Sequence, residues 1–419
     1  MRAGAGRAPI VYPHEVWPID GFGGQHDTLW VRTLLLEIDG ERAALAVLDQ
    51  TALAPEPLEA VRGVLAGTLG LEGSRVLVGV SHTFSAPHLP TGAGEEAVRA
   101  AAATEAVLAA TRRSARDALE ALRPAVLAAG AGACAVNVNR DVETPTGWGL
   151  GVNEAGFSDP AVQLLRLRDA DGADIAVLVN YAVQPSVMNG SRDAAGLGWV
   201  SGDLAGEAMR HVERTLTGAT AFFLIGAAGD QAPALTAVRR APVPVGAKDA
   251  GIAAFLASEL LGERLGTEVL RVAEIADPVA SAPLALHAGV LVVAGQEPVD
   301  RLAFTPTRSH VYLPAAEREL PYWILALGDV AVVGVQVELS AETGARIRDA
   351  SAFATTLVVT MVNGGAKYLP EASAFDRMTY EALSSRYARG SAELLENAVL
   401  DDLARLSRHV PAPTERSTS

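Results

Sequence analysis

The stretch VLVGVSHTFSAP at residues 76–87 decides the fold. Val76–Val80 is a short continuous apolar run, typical of a buried strand, and His82 follows it after one residue. Three further runs end shortly before a polar side chain: Ile175–Tyr181 before Gln184, Val330–Val335 before Glu338, and Leu357–Val362 before Tyr368. Binding clefts in open α/β sheets lie outside the carboxyl ends of the strands. We therefore expect these four polar residues to meet at one sheet edge.

Strands alternate with helices along the chain, which predicts an α/β fold. The turn signal Asp39-Gly40 predicts a hairpin of Val31–Glu37 and Ala43–Leu48. Helices are predicted at Pro55–Leu69, at the Ala-rich stretch Gly94–Leu122, and at Asp203–Leu216 with Asp203 as its cap. A smaller antiparallel layer is predicted around Ala285–Val293. The expected architecture is one or more large mixed sheets with flanking helices and a site at the strand carboxyl ends.

Length and composition fit one large enzyme domain. The 419 residues are 49% hydrophobic, enough to bury a large core in one domain or two closely merged lobes. We expect residues 1–17 to be an N-terminal extension, residues 18–407 a single catalytic domain, and residues 408–419 a disordered tail. The Pro-rich loop Arg239–Lys248 is expected to separate two lobes or to cover the cleft.

Charge and cysteine content narrow the range of partners. A net charge of −15 and a pI near 5 argue against nucleic acid or an anionic membrane as the main partner. The single Cys134 excludes an internal disulfide, and the sequence contains neither a signal-peptide core nor an apolar run of about 18 residues. We predict a cytoplasmic protein with a small-molecule substrate. The oligomeric state, a homo-oligomer included, stays open.

The glycine-rich segment Gly226–Gly229 resembles a phosphate-binding loop only superficially. It lacks the Lys-Ser/Thr ending of a Walker sequence. We interpret it as a tight strand-to-loop turn that brings Asp230 near the cleft, as part of the substrate pocket.

Several sequence blocks resemble the catalytic domain of the neutral, non-lysosomal ceramidases and their shorter bacterial relatives. Ser81–Pro87 (SHTFSAP) is similar to the family's SHTHSGP, and Asn180–Pro185 (NYAVQP) to a strand ending in NxACHP or FAVH. The other blocks follow in the family's order: a GxHDxLxxRxLxL opening at Gly24–Leu36, NVNR at Asn137–Arg140, GAAGDxxP at Gly226–Pro233, and counterparts of the YVTT and YEGAST segments at Tyr368–Pro370 and Tyr380–Ser385. The resemblance implies the fold of that catalytic domain, without the C-terminal immunoglobulin-like domain of the long members.

The resemblance also implies a site. In the family, a zinc ion activates a water that cleaves an amide bond, and the matching ligand positions here are His82, Gln184, Glu338 and Tyr368. Tyr380 matches the tyrosine that steadies the tetrahedral intermediate, and Arg140 matches an arginine that contacts the substrate. Two family residues are changed in this chain. A ligand histidine is replaced by Gln184, and the second histidine of SHTHSGP, beside the bound water, is replaced by Phe84.

These two changes weaken the expected zinc chemistry. A glutamine carbonyl is a weaker zinc donor than imidazole, so we expect zinc or another divalent metal to be held loosely or lost. Phe84 removes proton-transfer help that is typically worth ~10²–10⁴ in rate, and it adds an apolar ring to the substrate pocket. His88 is the first candidate to replace the lost histidine, and His26 is the second. His310 is a further candidate without motif support.

The primary expectation is an enzyme that acts on an amide or related acyl group of a small-molecule metabolite. An alternative is a repurposed scaffold with a weak metal or none, which catalyses a non-hydrolytic step such as cyclisation, elimination or isomerisation. A second alternative is a catalytically inactive binding protein. Elemental analysis of the purified protein distinguishes these hypotheses, because near-stoichiometric zinc would support the hydrolase alone.

Overall fold

The computed structural model describes residues 1–89, 94–238, 248–280, 283–300 and 304–408. Within these residues the chain forms four layers: helices, a nine-stranded mixed sheet, a four-stranded mixed sheet, and helices. The predicted α/β fold class is confirmed. Residues 239–247 of the predicted loop and residues 409–419 of the predicted tail lie outside the described residues.

In chain order the strands are β1 (Arg2–Pro9), β2 (Phe22–Gln25), β3 (Trp30–Ile38), β4 (Glu41–Leu48), β5 (Val76–Val80), β6 (Arg123–Ala133), β7 (Asn137–Thr144), β8 (Gly147–Asn153), β9 (Ala161–Asp169), β10 (Asp174–Tyr181), β11 (Gly198–Val200), β12 (Thr220–Ile225), β13 (Gln231–Pro233), β14 (Asp277–Pro278), β15 (Leu284–Gln296), β16 (Pro314–Leu327), β17 (Val330–Val335), β18 (Glu338–Leu339), β19 (Thr355–Val359) and β20 (Tyr368–Leu369). The helices are α1 (Pro55–Leu69), α2 (Glu95–Glu120), α3 (Asp203–Thr215), α4 (Phe255–Ile275), α5 (Ala341–Asp349), α6 (Ala372–Arg377), α7 (Tyr380–Ser384) and α8 (Ser391–Ser407). None of these helices is both long and apolar enough to cross a membrane.

The larger sheet has the strand order β12-β10-β9-β6-β1-β3-β4-β5, and β14 pairs with β6. Its outermost pairs, β10–β12 and β4–β5, are parallel, and the pairs between them are antiparallel. Helices α1 to α4 cover one face of this sheet. The other face packs on the smaller sheet, which has the order β15-β16-β17-β19. Because both faces of the central strands are buried, they carry continuous apolar runs such as Leu34-Leu35-Leu36.

The predicted single sheet edge is corrected to two stacked sheets. Strands β5 and β10 belong to the larger sheet, and β17 and β19 belong to the smaller one. Their carboxyl ends still converge, because apolar residues of the two sheets, Leu178 and Val332 among them, share one core. The loops after these strands, together with the short pair β18–β20, therefore approach one another at the same end of the sandwich.

The first strand corrects a second expectation. Residues 1–17 were expected to be an extension, but Arg2–Pro9 pairs with β3 along its whole length, from Arg2 opposite Glu37 to Pro9 opposite Trp30. Gly4 and Gly6 let helix α2 lie close to this strand, since a Cβ atom at Gly4 would stand 2.1 Å from the carbonyl oxygen of Ala118. The segment is a central strand of the larger sheet.

Most local predictions agree with the structure. Asp39 and Gly40 both adopt positive φ, as a two-residue hairpin turn requires, and the helix at Pro55–Leu69 has the predicted bounds. Asp203 is not a helix cap. It is the first residue of α3, and its buried carboxylate accepts backbone N–H groups from Val187, Met188 and Leu204.

Gly4→Ala should test the close contact of β1 with α2. The added methyl meets backbone atoms of the helix, which cannot rotate away, so we expect the free energy of unfolding to fall by about 1–3 kcal/mol. The matched control is Gly63→Ala on the exposed side of α1, where a Cβ atom meets nothing within 4 Å and should stabilise the helix by roughly 0.5–1 kcal/mol. Urea unfolding of both variants measures the difference; equal stabilities would contradict a tight strand–helix contact.

Candidate functional site

The His82 side chain is held in one orientation at the end of β5. Its Nδ1 atom donates a hydrogen bond to the carbonyl oxygen of Thr51 at 2.5 Å, because a carbonyl only accepts. The other ring nitrogen, Nε2, is buried and has no hydrogen-bond partner among the described residues. This Nε2 atom lies 3.4 Å from the Oε2 atom of Glu338, a contact that becomes an ion pair when the ring is protonated.

Glu338 is a buried carboxylate on the short strand β18, where it pairs with Tyr368 on β20. Burial raises the pKa of Glu338, but the nearby charges of His82, Arg140 and Lys367 outweigh it, so the pKa ends below its ordinary value. Glu338 is therefore ionised at neutral pH.

The Gln184 amide is engaged at both ends. Its Oε1 atom accepts a hydrogen bond from Nη1 of Arg140 at 2.7 Å, and its Nε2 atom donates to Oε2 of Glu338 at 3.1 Å. A guanidinium group only donates, so the oxygen must face Arg140 and the nitrogen must face Glu338. The amide oxygen, the atom that would bind a metal, is already bonded to a cation.

Arg140 binds Gln184 from the side that does not face the cavity. Its Nε and Nη2 atoms donate to Oε1 of Glu381 at 2.8 and 2.6 Å. The guanidinium also lies 5.2 Å from the ring centre of Tyr368 and 5.7 Å from that of Tyr380. Arg140 does not line the cavity and contacts the two tyrosines, and its predicted contact with substrate stays a prediction.

Tyr368 and Tyr380 line the cavity next to Glu338, with ring centres 5.6 Å apart. Burial raises the pKa of Tyr368 far above its ordinary value, and this phenol is neutral and can donate at pH 7. Tyr380 opens helix α7, whose first turn is capped by the Thr379 side chain accepting the Ala382 N–H. The Phe84 ring lies 4.9 Å from the His82 ring, edge to face, on the same cavity.

A cavity of about 270 Å³ opens in front of these groups. Its lining residues are Thr51, Ala52, His82, Phe84, His88, Pro298, Val299, Asp300, Glu338, Met361, Gly365, Lys367, Tyr368, Tyr380, Ser384 and Arg386. Both sheets contribute loops to this lining. The volume suits a small molecule better than a large lipid.

Three acidic residues surround Arg140 on its far side, and two of them, Glu381 and Asp141, escaped the sequence analysis. Burial and the negative charge of Glu381 raise the pKa of Asp141 well above its ordinary value. Burial also raises the pKa of Asp230 to about 7. Only their positions could have identified these two acidic residues in the sequence. Glu381 directly follows Tyr380 and Asp141 directly follows Arg140, and both neighbours were candidate site residues.

Gln184, like Arg140, does not line the cavity itself, and three further predicted residues lie away from it. Asp230 is packed behind Arg140, where its carboxylate accepts from the Ala341 N–H and the Asn139 side chain. The His26 ring stacks on Phe255 at 3.5 Å, outside the site. His310 packs on Tyr312 instead.

His88 stands at the cavity rim. Its Nδ1 atom lies 2.7 Å from Oδ2 of Asp20, and the ring is exposed to solvent. A carboxylate partner orients this imidazole, but no described contact joins it to His82. Its proposed role in replacing the lost histidine stays a prediction.

The donor set does not fit a four-ligand zinc centre. His82 presents a free Nε2 atom toward Glu338, as metal ligands do, but the Gln184 oxygen is bonded to Arg140. Among the described residues, no group of three or more His, Cys, Asp or Glu side chains is arranged to hold a metal ion. The predicted metal is therefore not confirmed.

No protein-family model and no curated protein matches this sequence. Similar solved structures include the neutral ceramidase from Pseudomonas aeruginosa, at 18% identity and a TM-score of 0.76, covering 99% of this chain and 75% of that chain. Another is a ceramidase described as complexed with C2, at 17% identity and a TM-score of 0.75, covering 99% and 76%. At this identity the likeness shows the fold, and it confirms the ceramidase-like fold that the sequence blocks implied.

Gln184→His should strengthen zinc binding. An imidazole nitrogen would replace an amide whose oxygen Arg140 holds, and we expect the affinity to rise by about 10-fold or more. Titration against a competing chelator measures the change. Gln163→His, the same substitution on β9 of the larger sheet, is the matched control. Equal affinities in the wild type and Gln184→His would show that residue 184 is no ligand position.

Proposed function

We propose that this chain is an enzyme that acts on the amide or acyl carbonyl of a small molecule bound in the cavity. One observation carries the proposal: the free, buried Nε2 atom of His82 lies beside the ionised Glu338 and shares the cavity with two tyrosines. A proton acceptor and hydroxyl donors on one cavity are the groups that carbonyl chemistry needs.

His82 is the proposed base. With Nδ1 donating to the Thr51 carbonyl, Nε2 is free to take a proton from an attacking water or from the substrate itself. The resulting imidazolium is stabilised by Glu338 at 3.4 Å. As in other histidine bases, a fixed acceptor on Nδ1 orients the ring, and here a carboxylate lies near Nε2.

The two tyrosines are the proposed donors to the carbonyl oxygen. A neutral phenol donates a hydrogen bond to a developing oxyanion without first changing its charge. Arg140 is a positioning residue in this scheme. Its guanidinium lies over both rings and so fixes their orientation, while its charge favours negative charge on the substrate side.

A non-hydrolytic reaction is the second candidate, and Phe84 favours it. The ring stands beside His82 on the cavity wall and offers a water molecule no hydrogen bond. Exclusion of water protects reactive intermediates from hydrolysis. In this candidate reaction His82 moves a proton within the substrate in an isomerisation or cyclisation, or removes a proton while a leaving group departs with its electron pair in an elimination.

A panel of small N-acyl amides, lactams and acyl esters tests the proposal. We expect the wild type to convert at least one member and His82→Ala to lose the reaction by at least ~10²-fold, because the proposed base is removed. Mass spectrometry of the products separates the two candidates. Hydrolysis adds the elements of water, whereas isomerisation or cyclisation does not. Binding of panel members without any conversion would refute the enzyme proposal and indicate a binding protein.

Tyr380→Phe should lower kcat by about 10²-fold with a small change in KM, on whichever substrate the panel identifies. The substitution keeps the ring that packs on Tyr368 and removes only the hydroxyl. Steady-state kinetics together with thermal unfolding measure the effect. Tyr322→Phe, which removes a hydroxyl bonded to Asp402 on the smaller sheet, is the matched control and should leave kcat unchanged. A wild-type kcat in Tyr380→Phe would make this residue a packing residue only.

A further inference from the structure

Two cationic side chains line the cavity without a direct ion pair to any described residue, although the charge of Lys367 acts on Glu338 from a longer distance. Lys367 and Arg386 are both exposed and both belong to the lining. Among the described residues, neither side chain makes a salt bridge or a hydrogen bond. Most other arginines on the described surface pair with a carboxylate, as Arg389 does with Asp376. Two exposed cations that line one small cavity and form no direct ion pair are available to a ligand.

The backbone of Lys367 is held in a costly conformation. Its φ of 69° lies in the left-handed region, where a residue with a Cβ atom is strained. The Lys367 carbonyl accepts the Glu338 N–H at 2.9 Å, and the neighbouring Tyr368 pairs with Glu338 in β18–β20. The strand pairing fixes the residue beside the proposed reaction centre, at a position where glycine would relieve the strain.

The remaining lining indicates what such cations would hold. Phe84, Met361 and Val299 give the cavity an apolar side. Its acidic members are Glu338, which is buried beside His82, and Asp300, which takes part in an interaction of its own. Lys367 and Arg386 are exposed instead, so they are the lining cations that a negatively charged ligand group can reach.

We propose that the substrate carries a carboxylate, held by Lys367 and Arg386, next to the acyl or amide carbonyl on which the enzyme acts. The apolar part of the substrate lies against Phe84 and Met361, so an N-acylated amino acid has the required pattern. Lys367 and Tyr368 both line the cavity, so the proposed carboxylate site and carbonyl site share it. This inference rests on the proposed function and specifies its substrate class.

A matched pair of ligands tests the carboxylate site by binding alone. N-hexanoylglycine and N-hexanoylglycinamide share the acyl chain and the amide and differ in the negative charge. We expect the wild type to bind the acid about 10-fold or more tightly than the neutral amide in calorimetric titration, because hydrogen bonds to charged groups are the stronger ones. In Lys367→Gln this preference should fall to roughly 3-fold or less, while affinity for the neutral amide stays the same.

Two controls separate the charge from the fold. Lys367→Arg keeps the cation and should keep most of the preference, and Lys248→Gln, which changes the other lysine of the chain, should leave it intact. Because Lys248 and Lys367 are the only lysines in the sequence, chemical modification of lysine provides a second measurement. Reductive methylation followed by peptide mass spectrometry should show that the acid protects Lys367, that the neutral amide does not, and that Lys248 reacts equally throughout.

The outcomes distinguish this inference from the proposed function. Equal binding of acid and neutral amide by the wild type, or an unchanged preference in Lys367→Gln, overturns the carboxylate site even if the enzyme converts neutral amides. Binding of neither ligand at millimolar concentration also overturns it. A preference for the acid that depends on Lys367 supports the site, even if no member of the acyl panel is converted and the proposed function fails.

Discussion

Arg140 keeps its charge inside the protein, and the arrangement of the site depends on this. Burial alone would lower the pKa of its guanidinium, but Tyr368 and Glu381 outweigh burial and the pKa lies above its ordinary value. A buried charge that loses its partner costs about 3–5 kcal/mol, so the partners of Arg140 are constrained in turn. They come from the loop after β10, from β20 and from α7, and one guanidinium thus fixes elements that are far apart in the sequence.

From Arg140 a chain of polar contacts leads to the proposed base. Glu381 holds Arg140, Arg140 binds the Gln184 oxygen, and the Gln184 nitrogen binds Glu338, which faces His82. Each link orients the next, and in a low-dielectric interior such contacts polarise one another. The Gln184 amide thus meets two needs at once, an acceptor toward Arg140 and a donor toward Glu338. These two hydrogen bonds explain the presence of glutamine at residue 184 without a metal ion.

The sequence predicted the parts of the fold that depend on local patterns. The helix at Pro55–Leu69 and the hairpin around Asp39-Gly40 follow from apolar spacing and turn chemistry. The convergence of His82, Gln184, Glu338 and Tyr368 also followed, because each ends or follows a strand. The split into two sheets and the central position of Arg2–Pro9 did not, since strand pairing between distant segments leaves no local signal. The direction of the Gln184 amide depends on a guanidinium 44 residues away in sequence, which no motif encodes.

The segment that follows β19 joins the two sheets and carries part of the cavity wall. Asn363 donates its N–H to the Val78 carbonyl at 2.7 Å and accepts the Val78 N–H on its side chain at 2.9 Å, which ties the segment to β5 of the larger sheet. Three residues that line the cavity, His82, Met361 and Lys367, have positive φ. Each such residue costs about 1–3 kcal/mol and persists only where the surroundings over-determine it. Bonds to both sheets provide that support, so the backbone of the site is held by the scaffold and not by the side chains that face the cavity. Side chains such as Phe84 and Lys367 can then differ from those of a related enzyme while the fold around them stays the same.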